Sequence, residues 1–377
     1  GGRARDGDRL SRALDGALAY QTVLVGLVAA GAWFTRDGQP FTERLVAMLS
    51  NWDAQHYLRI VREGYSAAPD AAPLIVFFPL YPLGIALLFP FFGLAGAAFA
   101  FTTAMSVGAR TVLPLWLEEL GLDAARGRRV LALLCAAPIA VYFTSFHTEA
   151  LYLFLTVLFA WRLQRRSFAS AAVCGFLAAL TRNMGALFVI PYIAACLRSE
   201  RVEDRVRRLT GTVLIGAGTL LYLGINLQVQ GDAFAFSRHM RDNWYKEFQN
   251  PLVTYAHQAA ELLTGGFRPD PGYELLYFDR VFTLLFPLLF VDHFRRPRAE
   301  RAVMPPGFLL WTAAQYLVVC GQSFWVSNTR YLFVILPAYL LLERACRARA
   351  AFIAWMTVSS LIALWAIRNY AVMTWVF

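Results

Sequence analysis

The sequence predicts an all-α polytopic membrane protein, and three observations carry that expectation. Its mean hydropathy is +0.48. Across 377 residues the hydrophobic fraction is 58% and the charged fraction 16%, with 30 Phe and 10 Trp, too little polar surface for a soluble chain of this size. Apolar runs recur along the chain, and a bilayer core about 30 Å thick needs ~20 residues of helix. On that ruler the predicted spans are 14–34, 95–117, 128–146, 148–163, 168–182, 184–198, 209–229, 275–294, 304–322, 328–344 and 350–370, about eleven in all.

The first apolar run follows Arg12 and is long, with no A-x-A cleavage site, so it reads as a retained span, with Gly1-Gly2 as a processing scar. Residues 77–93, FFPLYPLGIALLFPFFG, decide the topology, because they are apolar yet contain Pro79, Pro82 and Pro90. Arg3, Arg5, Arg9 and Arg12 place the N-terminus in the cytoplasm by the positive-inside rule. If 77–93 does not cross, the arginine blocks at 126–129, 162–166, 198–208, 295–301 and 344–349 all fall inside as well. The expectation is therefore an interfacial or re-entrant element on the outer side. Two long outer loops result, 35–94 and 230–274, the second interleaving aromatic and polar residues as interfacial segments do.

Net charge of +10 does not point to nucleic acid, because the arginines sit in short blocks between apolar segments. Cys135, Cys174, Cys196, Cys320 and Cys346 show neither CxxC spacing nor His neighbours and read as packing residues. No GxxxxGK[ST] or GxGxxG nucleotide motif occurs. Lys246 is the only lysine.

The densest polar stretch is 51–65, NWDAQHYLRIVREGY, in the first outer loop. As a helix it sets Asp53 and Tyr57 on one face and Trp52, His56, Arg59 and Glu63 on a neighbouring one. Shorter outer turns add His147 and Glu149, then Arg182 and Asn183, then Arg330 and Tyr331; the second loop adds Trp244, and the last span Arg368. Each has a plain alternative: Asp53 as a helix cap after Asn51, Glu149 as a carboxylate at a helix start, Arg182 and Arg330 as snorkelling cations, Trp52 and Trp244 as belt residues. Gathered on one face, carboxylates and arginines fit an anionic lipid-borne substrate. An arginine fork suits phosphate and a carboxylate suits general-base work on a hydroxyl.

WDAQHYLRIVREGY, FFPLYPL, FTSFHTEALYLFL, LAALTRNMG, GDAFAFSRHMRDNW and SNTRYLFVILPAY resemble, in order and spacing, the PIG-V family of membrane mannosyltransferases, over nearly the whole chain. The resemblance implies a GT-C type bundle in a bacterial inner membrane with its site facing the exterior. It also implies a polyprenyl-phosphate sugar donor, most simply mannose, and a lipid or glycolipid acceptor. Carried over, Asp53 is the catalytic base, Glu149 the second acidic position and Arg330 the late basic residue, with Trp52, His56, Tyr57, His147, Arg182, Asn183, Trp244, Tyr331 and Arg368 around the substrates. His147 stands where many relatives carry Tyr. The eukaryotic acceptor, a glycosylphosphatidylinositol precursor, does not carry over to a bacterium. The scheme needs no metal or other cofactor, since arginine alone can neutralise a departing monophosphate, whereas diphosphate donors commonly recruit a divalent ion. A lipid-diphosphate-dependent ligase and a lipid-linked-sugar transporter are the alternative readings.

Overall fold

The computed structural model describes residues 2–35, 38–198, 202–301 and 303–377. Every regular element among them is helical, and the one β-contact is an isolated bridge between Phe248 and Gln322. The first half of the chain runs α1 (Gly2–Phe34), α2 (Phe41–Leu49), α3 (Asp53–Glu63), α4 (Leu80–Glu119), α5 (Ala124–Cys135), α6 (Glu149–Gln164), α7 (Phe168–Ala179), α8 (Val189–Cys196) and α9 (Val202–Gln230). The second half runs α10 (Ala235–Trp244), α11 (Pro251–Thr264), α12 (Leu276–Leu285), α13 (Pro287–Arg295), α14 (Arg298–Arg301), α15 (Pro306–Cys320), α16 (Asn328–Leu332), α17 (Ala338–Ala345) and α18 (Arg349–Ala371).

Among the described residues, four helical stretches are long and apolar enough to cross a membrane: Gly7–Phe34, Leu80–Glu119, Arg208–Gln230 and Arg349–Ala371. Large apolar side chains point outward from them, among them Val23, Val213, Leu220 and Leu361. Outward-facing Val and Leu on long helices is the pattern of a chain solvated by lipid rather than water.

The remaining predicted spans are shorter or broken, and proline explains the sharpest breaks. The expected helix over 128–146 stops at Cys135, just before Pro138, and continues as a 3-10 turn over Ala140–Phe143. The expected helix over 328–344 divides into α16 and α17 at Pro337, and that over 275–294 divides into α12 and α13 at Pro287. Proline removes a backbone donor and crowds the carbonyl four residues earlier. The expected helix over 184–198 begins as a 3-10 turn, Asn183–Phe188, before α8.

Residues 77–93, expected as an interfacial or re-entrant element, enter α4. A straight helix of its 40 residues would be roughly 60 Å long, but Gly93 leaves helical geometry with φ 66° and ψ 171°. The first arm folds back along the second. Tyr81 shares a 2.6 Å hydrogen bond with Thr102, and a Cβ at Gly84 would lie 2.3 Å from the ring of Phe101. Only glycine allows both the positive φ at position 93 and the close approach at 84.

The helix ends that carry polar motifs are drawn together by hydrogen bonds to backbone carbonyls of distant segments. Phe146 N donates to Leu49 O at 3.0 Å and Leu80 N to Leu180 O at 3.0 Å, while Asn51 Nδ2 donates to Tyr370 O at 2.9 Å. These ties bring the start of α3, the start of α6, the turn after α7 and the end of α18 to one place.

Candidate active site

Asp53 opens α3, and the residue before it is held in an unusual conformation. Trp52 has φ 57° and ψ −130°, a genuine outlier for a bulky side chain that costs on the order of 1–3 kcal/mol and clusters at functional sites. Its ring packs edge-on against Trp375, centroids 5.2 Å apart. The turn aims Asp53 inward, and no side-chain cap bond forms at this helix start. Asp53 therefore does not act as the cap its position after Asn51 allowed.

What Asp53 meets is Arg330. Arg330 NH1 donates to Asp53 Oδ2 at 2.9 Å. Its Nε reaches Glu149 Oε1 at 2.9 Å, and NH2 lies 2.8 Å from the same oxygen. Arg182 NH1 donates to that oxygen from the other side at 3.1 Å. The result is a chain, Asp53–Arg330–Glu149–Arg182, assembled from four segments. Glu149 is fully buried and the two arginines are each 7% exposed, whereas the Asp53 side chain keeps 31% exposure. Neither arginine head is extended to the surface as a snorkelling cation's is: both are buried and paired with carboxylates.

The chain borders a cavity of about 620 Å³, within the usual range of small-ligand sites. Asp53, His56, Tyr57, Trp52, Arg182, Asn183, Trp244, Arg330 and Tyr331 all line it. Glu149 and His147 stand behind that lining. Glu149 acts as the counter-ion of two arginines, and His147 is buried with Nδ1 3.0 Å from Ser145 Oγ and its ring 4.9 Å from Tyr142. Arg368 is exposed, near Asn369, and is not brought to the cavity.

Arg330 has all three nitrogens turned to carboxylates, so its fork is already occupied. The cations placed to meet an anion are Arg182 and Lys246. Arg182 engages Glu149 through NH1 and lies 4.6 Å over the ring of Tyr331, while Lys246 Nζ lies 5.0 Å from the same ring. Lys246 is tethered by a 2.6 Å bond to Val326 O. Arg182 and Lys246 both line the cavity, so an anion bound there meets two cations. Glu247 lines the same cavity from an exposed position.

Around these charges the wall is aromatic. His56 packs on Phe77 at 5.0 Å and on Trp244 at 6.3 Å, and Tyr57 packs edge-on against Phe77 and Tyr81. Burial lowers His56 below the usual imidazole value against the pull of Asp53, so the ring is neutral near pH 7. Burial would raise the Asp53 carboxyl, but the Arg330 guanidinium, together with His147 and His56, outweighs it and holds Asp53 below the ordinary carboxylate value.

Two residues of the candidate site escaped the sequence reading. Lys246 stood out only as the one lysine. Asp279, buried on α12, accepts from Ser327 N at 2.8 Å and Thr329 N at 2.7 Å, and so fixes the turn at Ser327 (φ 66°) from which α16 presents Arg330 and Tyr331. Its signal was an acid inside an apolar span, which is a functional suspect by default.

Compared with known proteins, the chain matches no family model and no curated protein.

Proposed function

We propose that this protein is a multi-pass membrane glycosyltransferase of GT-C type. On this reading it moves a sugar, most simply mannose, from a polyprenyl-phosphate donor to an acceptor hydroxyl of a lipid or glycolipid on the outer face. The observation that carries the proposal is the buried Asp53–Arg330–Glu149–Arg182 chain opening onto an aromatic cavity, with one partly exposed carboxylate and two cations gathered near it. The sequence resemblance supplies the donor class.

The chemistry assigns a role to each group. Arg330 holds Oδ2 of Asp53, leaving Oδ1 to take the proton of the acceptor hydroxyl as its oxygen attacks the anomeric carbon. The bond from that carbon to the phosphate oxygen breaks as the new glycosidic bond forms, with inversion. The electron pair leaves on the phosphate, where Arg182 and Lys246 stabilise the growing charge. Glu149 keeps both arginines in place and ionised. The aromatic wall of Phe77, Trp244 and His56 excludes water from a reaction that hydrolysis would compete with.

The test offers purified protein a polyprenyl-phosphate mannose with a panel of lipid and peptide acceptors and measures release of polyprenyl phosphate. Acceptor-dependent release supports the proposal. Release only from a lipid-diphosphate donor, lost with EDTA and restored by Mg²⁺ or Mn²⁺, moves the reading to a lipid-diphosphate ligase, and sugar movement without bond cleavage moves it to a transporter.

A further inference from the structure

The mouth of the cavity runs into a helix whose polarity is reversed. Along α11, Thr254 and Gln258 face inward and are buried, while Leu252 is 78% exposed, Val253 62% and Leu263 85%, with Ala256 and Ala260 on the same outward face. A helix solvated by water presents the opposite pattern, polar side out. The inward polar groups hold the helix in this orientation: Thr254 Oγ1 donates to Cys320 O at 2.6 Å and Tyr255 Oη to Leu284 O at 2.9 Å. His257 interrupts the outward face and lies 3.9 Å from Glu261 one turn on. A fixed, exposed apolar helix face of this kind marks a contact with lipid or with another protein.

Where the face begins selects its occupant. Phe248, itself exposed, lines the cavity beside Lys246, Glu247 and Gln322. Its ring lies over Gly321, where a Cβ would come within 2.5 Å of it, and Gln249 N donates to Gly321 O at 2.7 Å. Asn250 then caps α11 by accepting from Leu252 N at 2.9 Å. Lys246, Phe248 and Leu252 therefore lead from the cavity wall to the outward face in chain order, a cation followed by apolar surface. We propose that the hydrocarbon chain of a lipid-borne anion leaves the cavity over Phe248 and lies along the outward face of α11, with its headgroup at Lys246. The assignment rests on the donor class proposed above, and it adds where the lipid part of that donor is held. The 14 residues of α11 extend roughly 21 Å, so the face holds the part of a prenyl chain nearest the phosphate.

The test uses the full chain in detergent micelles and a polyprenyl phosphate carrying a diazirine in the isoprene units next to its phosphate. After irradiation, adducts are located by peptide mass spectrometry. The expected result is adducts within residues 248–264, reduced at least ten-fold by excess unlabelled polyprenyl phosphate but less than two-fold by phosphatidylcholine. Leu252→Gln/Val253→Gln, which alters only exposed side chains, reduces them at least five-fold with an unchanged melting temperature. Val213→Gln/Leu220→Gln, an equal change on the exposed face of α9, leaves them at the wild-type level. Competable adducts confined to other helices, equal displacement by phosphatidylcholine, or no competable adduct at all overturns the inference. A dimer in native mass spectrometry that lacks α11 adducts assigns the face to a second copy of the chain and also overturns it. The transferase reading fails separately: competable α11 adducts without sugar transfer leave this inference standing, whereas transfer with adducts elsewhere sinks it alone.

Discussion

Replacing Arg330 with lysine separates a positioned fork from a mere positive charge. The guanidinium makes three contacts of 2.8–2.9 Å, two to Glu149 Oε1 and one to Asp53 Oδ2. A lysine ammonium is one point on a stem and cannot reach both carboxylates with the same geometry. It therefore loses at least one hydrogen bond to a charged group, each contributing about 1.5–3 kcal/mol. If that bond is the one orienting Asp53, the rate falls roughly 10- to 150-fold, since 1.36 kcal/mol is a factor of ten. Because the loss concerns the base and not a donor contact, kcat falls while apparent donor affinity changes little. Arg330→Ala goes further, leaving buried Glu149 beside Arg182 alone and Asp53 unpaired, and removing one partner of a buried pair costs about 3–5 kcal/mol of stability. The assay is release of polyprenyl phosphate at saturating donor, run beside a thermal-unfolding control. An Arg330→Lys enzyme within two- to three-fold of wild type refutes the reasoning and reduces Arg330 to a charge.

Three further outcomes follow from the same geometry. Asp53→Asn keeps the size and one acceptor oxygen but loses basicity, so transfer falls ~10²–10⁴-fold with donor binding retained; turnover of a third or more of wild type in a transfer assay removes Asp53 from the base position. Since Arg330 depresses Asp53, the ion pair's contribution to stability is present above the unfolded carboxylate pKa and is lost as pH falls through the lower folded one. The acid limb of kcat/KM accordingly sits below the ordinary carboxylate value, and any step from His56 falls below the ordinary imidazole value. In Arg330→Gln burial prevails and the limb moves upward; a pH–rate profile with an unmoved limb contradicts the assignment. Finally, a Cβ at Gly185 would lie 2.1 Å from Ala178 O, backbone that has nowhere to go, so Gly185→Ala costs about 1–3 kcal/mol and displaces Arg182 just upstream; an unchanged melting temperature counts against that packing.

Much of this protein is written in its sequence, because membrane helices are local objects. Each buries its own backbone polar groups, so hydropathy alone locates α1, α9 and α18. Proline and glycine mark the breaks at 93, 138, 287 and 337, although reading 128–146 and 328–344 as single helices gave too little weight to Pro138 and Pro337. The polar motifs also announce themselves, since charge is costly in an apolar chain, and Asp53, Glu149, Arg182 and Arg330 were all singled out. Their roles were not legible. Arg330 and Glu149 are 181 positions apart, and Arg330 and Asp53 are 277 apart. Whether a fork holds phosphate or two carboxylates depends on which helix ends the packing brings within 3 Å. Only the tertiary structure turned Glu149 into a buried counter-ion, left Arg368 outside, and drew Lys246 and Asp279 to the site, because pairing between charges is a property of three-dimensional neighbours and not of spacing along the chain.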